Sequence, residues 1–356
     1  MSPEAMTTEI MTFELAFSRD FLNEQGDLAF GEIGLHLLKE SAVHYRFLET
    51  YHDPVTAAQI AETDGMAIIF PHITRETFAR GAARLTVIAR CGVGYDRVDL
   101  DACTKHGVAL VNAPQAMKLP TAAGSLTFML ALSKKLMAMD RIVRQGEWER
   151  RGDLRGVELN GRTLGIVGLG NSGRELARLV APFNMNLLAY SPHADLEQAH
   201  QLGVMLTSLE TLLRQADFVC LHCRLTEQTR GLIGAGELAL MKPGAYLINM
   251  ARGPVVDHTA LLVALQEQRI AGAGLDVFYE EPLPADDPIT RLDNVILTPH
   301  WAAGTLDVYY EAGTSNCRAI VDVACGRLPE NIVNGEVIGQ PAFQAKLDRF
   351  RCLTGE

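Results

Sequence analysis

The chain has 356 residues, 48% hydrophobic and 21% charged, too long for one ordinary domain and sufficient for two cores. With 43 acidic and 32 basic residues its formal charge is −11, which argues against nucleic acid or an anionic membrane surface as a general partner. No apolar run approaches the ~18 residues needed to cross a bilayer, so no membrane partner is expected.

Met1–Met11 is polar and acidic and lacks a basic start, which predicts no secretory leader. Phe13–Phe17 reads as a first strand, Glu32–Lys39 as a helix and Tyr45–Glu49 as a second strand. Buried-strand patterns follow at Asp64–Phe70, with the loop Pro71–Thr74 behind it, and at Leu85–Arg90, which runs into the turn Cys91–Gly94. Val108–Val111 closes a β/α alternation that implies a parallel sheet covered by helices on both faces. A helix over Pro120–Met139 carries the chain into a second domain, and the polar segment Arg144–Asn160, with Trp148, wraps over a surface. Later strands are expected at Phe218–Cys223, Ala245–Met250, Gly272–Val277 and Val295–Thr298, then a helix near Asp307–Cys325 and a short tail to Glu356. Seven scattered cysteines predict reduced thiols and a cytoplasmic protein. Cys220 and Cys223 have C-x-x-C spacing, but strand alternation sends them to opposite faces, against a metal or redox role.

The most informative stretch is Gly161–Tyr190. The apolar run Leu164–Val167 leads into Gly168, Gly170 and Gly173 at G-x-G-x-x-G spacing, then into a helical pattern with Leu176, Leu179, Val180 and Phe183 on one face. Asn186–Tyr190 follows as a second parallel strand. At this spacing the first glycine permits a tight turn, the second lets backbone approach a pyrophosphate, and the third allows close helix–strand packing. The new helix offers unpaired N–H groups and a positive dipole end to the diphosphate. Strand, glycines and helix together predict a bound dinucleotide.

Three motifs downstream carry a family resemblance: Asn249-Met-Ala-Arg-Gly-Pro-Val-Val-Asp257; Gly272-Ala-Gly-Leu-Asp-Val-Phe278 with Glu281-Pro282; and Leu297-Thr-Pro-His300. Arg90–Asp96, Gly156–Gly161, Leu221-His222 with Leu225-Thr226, and Pro329–Asn334 support them. With the glycine turn upstream, the chain resembles the D-isomer-specific 2-hydroxyacid dehydrogenases over nearly its whole length. The resemblance implies an α/β protein of two doubly wound parallel-sheet domains. A Rossmann domain over 119–301 would be inserted in a flavodoxin-like substrate domain made of 1–118 and 302–356. The chain ends soon after the last motif, so no appended regulatory domain is expected.

The implied catalytic set is Arg252, Glu281 and His300. Hydride transfer to a 2-keto acid leaves charge on the carbonyl oxygen, and an imidazole can supply the proton. A carboxylate beside the ring stabilises the imidazolium, and a guanidinium offers a planar fork to keto oxygen and carboxylate. Backbone N–H groups at Val93 and Gly94 suit the same carboxylate, and His72 borders the substrate pocket in this family. On the cofactor side, Asn171 and Ser172 are expected at the pyrophosphate, Thr121 at the nicotinamide ribose and Asp276 at the carboxamide. Met250 and Ala251 are expected beside the nicotinamide.

Departures from the family pattern bear on specificity. The acid that commonly holds the ribose diol is replaced by Ser191, followed by Pro192 and His193; Cys223 and Arg224 occupy the facing loop, and Trp301 follows the histidine. NADP is therefore expected to be accepted as well as NAD. The substrate class is a small 2-keto or 2-hydroxy acid of the glyoxylate, hydroxypyruvate or phosphoglycerate type. Formate oxidation is disfavoured, because that branch pairs its histidine with Gln. The alternatives are a phosphite-type dehydrogenase or a nucleotide-sensing, corepressor-like binding protein on the same scaffold. An apolar face of Leu126, Met129, Leu130 and Leu136 with Trp148 predicts a homodimer.

Overall fold

The computed structural model describes residues 12–41 and 43–351, so the leader reading at Met1–Met11 and the end of the tail lie outside the described residues. The chain divides into two compact units, Met1–Met117 with Thr305–Glu356, and Lys118–Gly304.

The first unit is built on β1 (Phe13–Phe17), β2 (Val43–Phe47), β3 (Gly65–Ile68), β4 (Val87–Arg90) and β5 (Ala109–Asn112). They pair in the order β2-β1-β3-β4-β5, every pair parallel, the strand order of a flavodoxin-like sheet. Strands β3 and β5 are buried along their whole length, as a sheet covered on both faces requires. On one face Phe13, Leu15, Phe17 and Val87 pack with Val308, Ile320 and Phe350 from the helices Leu306–Ala324 and Pro341–Arg351. On the other, Met66, Ile68, Ile88 and Leu110 pack with Ile60, Phe78 and Cys103.

The C-terminal helix, where the sequence predicts only a short tail, is locked in place by polar groups. Lys346 is buried and its Nζ donates to Leu85 O, His106 O and Gly107 O at 2.8, 2.6 and 3.1 Å. Burial pushes this ammonium down to about 8. Arg349 and Arg84 both donate to the buried carboxylate of Asp64, at 2.8 and 2.7 Å.

The second unit contains β6 (Thr163–Val167), β7 (Asn186–Tyr190), β8 (Val204–Leu206), β9 (Phe218–Leu221), β10 (Tyr246–Asn249), β11 (Gly272–Leu275) and β12 (Val295–Leu297). Their order is β12-β11-β10-β9-β6-β7-β8, again all parallel. This is a Rossmann sheet with one added strand, and the order reverses between β6 and β9. The short edge strand β8 was not anticipated.

The expected single helix over Pro120–Met139 is two, Lys118–Ser133 and Leu136–Arg144, separated where Lys135 turns left-handed at φ 53°. The cause is downstream. Val157 N donates to Ser133 O at 2.8 Å, and a Cβ on Gly156 would sit 2.3 Å from that oxygen. The passing segment takes the carbonyl that would continue the helix. Met129, expected on an exposed face, is fully buried within this unit.

Candidate active site

At the glycine turn the three glycines separate by what a side chain would meet. Gly168 has φ 99°, and a Cβ there would lie 2.6 Å from Cys223 N at the exit of β9. A Cβ on Gly173 would lie 2.3 Å from Gly168 O, so helix and strand approach as closely as backbone allows. Gly170 has nothing within 4 Å of its Cβ position. It is the N-cap of the helix Asn171–Leu179, whose first N–H groups have no acceptor within the helix. The turn fits a diphosphate.

The Ser172 side chain has a partner within the protein. His222 Nδ1 lies 2.9 Å from Ser172 Oγ, and its Nε2 lies 3.1 Å from Ser125 Oγ. Ser125 Oγ donates to Thr121 O at 3.3 Å, so it must accept from Nε2–H, and Nδ1 accepts the Ser172 hydroxyl proton. Burial pushes His222 down to about 4, which keeps the ring neutral as this pattern requires. The Ser172 hydroxyl is thus turned to the imidazole, and its backbone N–H is what remains for a phosphate.

On the side expected for the adenosine ribose, Ser191 is half-buried after β7 and His193 is exposed. Ala194 N donates to Ser191 O at 3.0 Å and closes this turn. Arg224 is exposed in the loop after β9, next to Cys223.

On the other side, buried Asn249 shapes the segment after β10. Its Oδ1 accepts Ala251 N and its Nδ2 donates to Arg252 O, both at 3.0 Å. This turn buries Met250 and Ala251 and leaves Arg252 half-buried in extended conformation, with Nη1 donating to Ala251 O at 2.8 Å. A Cβ on Gly124 would lie 2.8 Å from Met250 Cε. Behind Arg252, Gly253 lies against the Phe278 carbonyl, 1.8 Å from where its own Cβ would be.

His300 sits in the left-handed region at φ 55°, a costly conformation for a side-chain-bearing residue and one that clusters at functional sites. Its turn is held by Asp276, which is 3% exposed. Asp276 Oδ1 accepts Thr298 Oγ1 at 2.6 Å, Trp301 N at 2.8 Å and Ala302 N at 2.9 Å. One oxygen of Asp276 is therefore committed to the histidine turn, and a carboxamide would have the other. His300 Nδ1 lies 2.8 Å from Glu281 Oε2, while Glu281 Oε1 accepts Phe278 N at 3.1 Å. The ring therefore presents Nε2 to a reacting atom. The Trp301 indole covers Gly304, where a Cβ would lie 2.6 Å from Trp301 Cε2.

His72, Val93 and Gly94 belong to the first unit. Asn112 Nδ2 donates to Val93 O at 2.8 Å and fixes that turn. His72 Nδ1 and its backbone N both meet Asp53 Oδ1 at 2.7 Å. Sequence reasoning missed Asn249, His222 and Ser125 as site residues. An Asn and a His ending apolar strands were the available signal. Among the described residues no group of three or more His, Cys, Asp or Glu could hold a metal ion, and no helix is long and apolar enough to cross a membrane.

The family profile described as D-isomer specific 2-hydroxyacid dehydrogenase, NAD binding domain, matches residues 126–302. A D-3-phosphoglycerate dehydrogenase of Archaeoglobus fulgidus is 41% identical over 255 residues, covering 72% of this chain and 48% of its own length. The chain thus spans about half the length of that relative. A glyoxylate reductase of Korarchaeum cryptofilum is 37% identical over 296 residues, covering 82% of this chain and 89% of its own. Among solved structures, D-lactate dehydrogenase from Aquifex aeolicus, complexed with NAD and lactic acid, superposes with a TM-score of 0.76 at 28% identity, covering 86% of this chain and 94% of that one.

Proposed function

The chain belongs to the D-isomer-specific 2-hydroxyacid dehydrogenase family, and on that premise we propose that it interconverts a small D-2-hydroxy acid and its 2-keto acid with a nicotinamide cofactor. The observation that carries this reading is the His300–Glu281 pair, 2.8 Å apart, on a turn held at positive φ. With its diphosphate held at the glycine turn, a bound reduced dinucleotide would supply hydride to the keto carbon. His300 Nε2 gives its proton to the carbonyl oxygen as charge develops there. Glu281 accepts from Nδ1–H, orients the ring and stabilises the imidazolium. Arg252 directs guanidinium N–H groups at the keto oxygen and the substrate carboxylate. We also assign substrate binding to the N–H groups of the Val93-Gly94 turn and to His72.

The substrate is of the glyoxylate, hydroxypyruvate or phosphoglycerate type, since similar relatives include both glyoxylate reductases and D-3-phosphoglycerate dehydrogenases. NADPH is accepted at least comparably to NADH, since Ser191 has no charge with which to reject a 2′-phosphate, and His193 or Arg224 can meet it. The unpaired buried thiols of Cys91, Cys103, Cys220 and Cys317 fit a reducing, cytoplasmic setting. Leu136, Met137, Val143 and Trp148, each more than half exposed, support a two-fold homodimer, which light scattering at micromolar concentration checks. The deciding experiment is steady-state turnover of NADH and NADPH against a panel of 2-keto acids. Turnover of none would refute the reading. A hundredfold preference of wild type for NADH, about 2.7 kcal/mol, would refute the 2′-phosphate assignment, whereas Ser191→Asp is expected to move kcat/KM toward NADH.

A further inference from the structure

Away from the atoms assigned to the reaction, the second unit holds a polar cluster of Tyr279, Asp287 and His258. Asp287 is 6% exposed. Its Oδ2 accepts Tyr279 OH at 3.2 Å and lies 3.0 Å from His258 Nε2. The His258 and Tyr279 rings meet with centroids 4.3 Å apart at 43°. Asp287 Oδ1 is already engaged, accepting Ile289 N at 2.9 Å as the cap of the short helix Pro288–Arg291.

The positions of these three residues along the chain give the cluster its meaning. Tyr279 stands two residues before Glu281 and Asp287 six after it, so the cluster closes the loop that carries Glu281. His258 opens the helix His258–Gln266, six residues after Arg252, and ties the Arg252 segment to the same loop. Gly253 already lies against the Phe278 carbonyl on that segment. Glu281 itself is tied at one oxygen to Phe278 N and at the other to His300. Its side chain is 23% exposed, leaving solvent free to compete for the carboxylate.

We propose that Tyr279, Asp287 and His258 form a clamp of positioning residues that holds the Glu281 loop against the Arg252 segment and so keeps the Glu281 carboxylate on His300 Nδ1. The assignment rests on the function proposed above. None of the three residues touches the reacting atoms; the clamp acts through Glu281. Released from it, the loop between Val277 and Pro288 can swing Glu281 toward water, because a buried carboxylate that loses both donors gains by rehydrating. His300 then loses the acceptor that selects its tautomer.

The test reads that tautomer directly. In protein labelled with 15N-histidine at about pH 9, where imidazoles are neutral, wild type is expected to show His300 as Nδ1–H. Free imidazole side chains favour Nε2–H, so Tyr279→Phe combined with His258→Leu should shift His300 toward that form. His258→Gln, which keeps a donor for Asp287, should retain Nδ1–H. With a 2-keto acid that wild type reduces, the double variant should lose about tenfold in kcat, with NADH affinity by fluorescence titration unchanged. A folded double variant whose His300 remains Nδ1–H overturns the clamp. If the double variant does not fold, Tyr279→Phe, which removes one hydroxyl from a partly exposed ring, decides on the same signal. A tautomer shift in a protein that turns over no 2-keto acid would leave the clamp standing and refute the function instead.

Discussion

Both units put their candidate residues at or just beyond the C-terminal ends of parallel strands, but they hold them differently. In the cofactor unit the loops are anchored on polar hubs: buried Asp276 under the His300 turn, buried Asn249 under Arg252, and half-buried His222 between two serines. In the first unit the Val93 turn is likewise fixed by buried Asn112, but the pair His72 with Asp53 is 45% and 33% exposed. Geometry held by hydrogen bonds to buried groups is preorganised for chemistry, whereas a solvated pair can adapt. On the function proposed above, the difference assigns the reaction to the second unit and adjustment to the substrate to the His72 pair.

The largest expected effect tests the rigid side. His300→Ala should lower kcat by about 10²–10⁴-fold while leaving dinucleotide affinity, read by fluorescence titration, near wild type. A near-normal kcat would break the comparison at its strongest point. The glycine turn gives a paired test of next-largest size. Gly173→Ala places a methyl 2.3 Å from Gly168 O and should destabilise the unit in thermal melts. Gly170→Ala meets no protein atom within 4 Å, so it should melt like wild type yet bind dinucleotide at least tenfold more weakly. Equal melting losses in the two would mean that Gly170 has no approach role.

A pH effect comes from His222. Its folded value is lowered to about 4 from an ordinary 6.5, so between these values the unfolded chain binds a proton that the folded one does not. Its contribution to stability is therefore complete above about 6.5 and lost progressively as pH falls toward 4. Melting temperature should fall across that window, and the fall should be shallower in His222→Asn. The smallest effect sharpens the adaptable side. His72→Ala should raise KM for the keto acid a few-fold, with kcat and dinucleotide affinity unchanged. A large fall in kcat would show that the first unit is not merely selective.

Much of the fold was legible because its strands are apolar runs bounded by turns, and Phe13–Phe17 and Asn186–Tyr190 carry these bounds in the structure. The strand at Val204–Leu206 was not, since three residues with Met205 exposed leave no period to read. The break at Lys135 was invisible for a different reason: its cause is the Ser133 carbonyl claimed by the N–H of Val157, more than twenty residues away. At the site, His300, Glu281 and Arg252 stand in recognisable motifs. The partners that fix them do not, because nothing in the Leu221-His222 run announces serines at 125 and 172. Nor does the sequence show that the Ser172 hydroxyl meets a residue fifty positions on.

The discontinuity of the first unit has a consequence for synthesis. Residues Lys118–Gly304 form one uninterrupted span and can fold while the rest of the chain is still on the ribosome. The five strands of the first unit are all made by Asn112, yet the helices that cover Phe13, Phe17 and Val87 come last. Until Lys346 and Arg349 emerge to seize the Leu85 carbonyl and Asp64, an apolar sheet face made early stands uncovered. A sheet made before Lys118 is thus covered only by helices made after Gly304, and the interval between is when a nascent chain of this design most needs a chaperone.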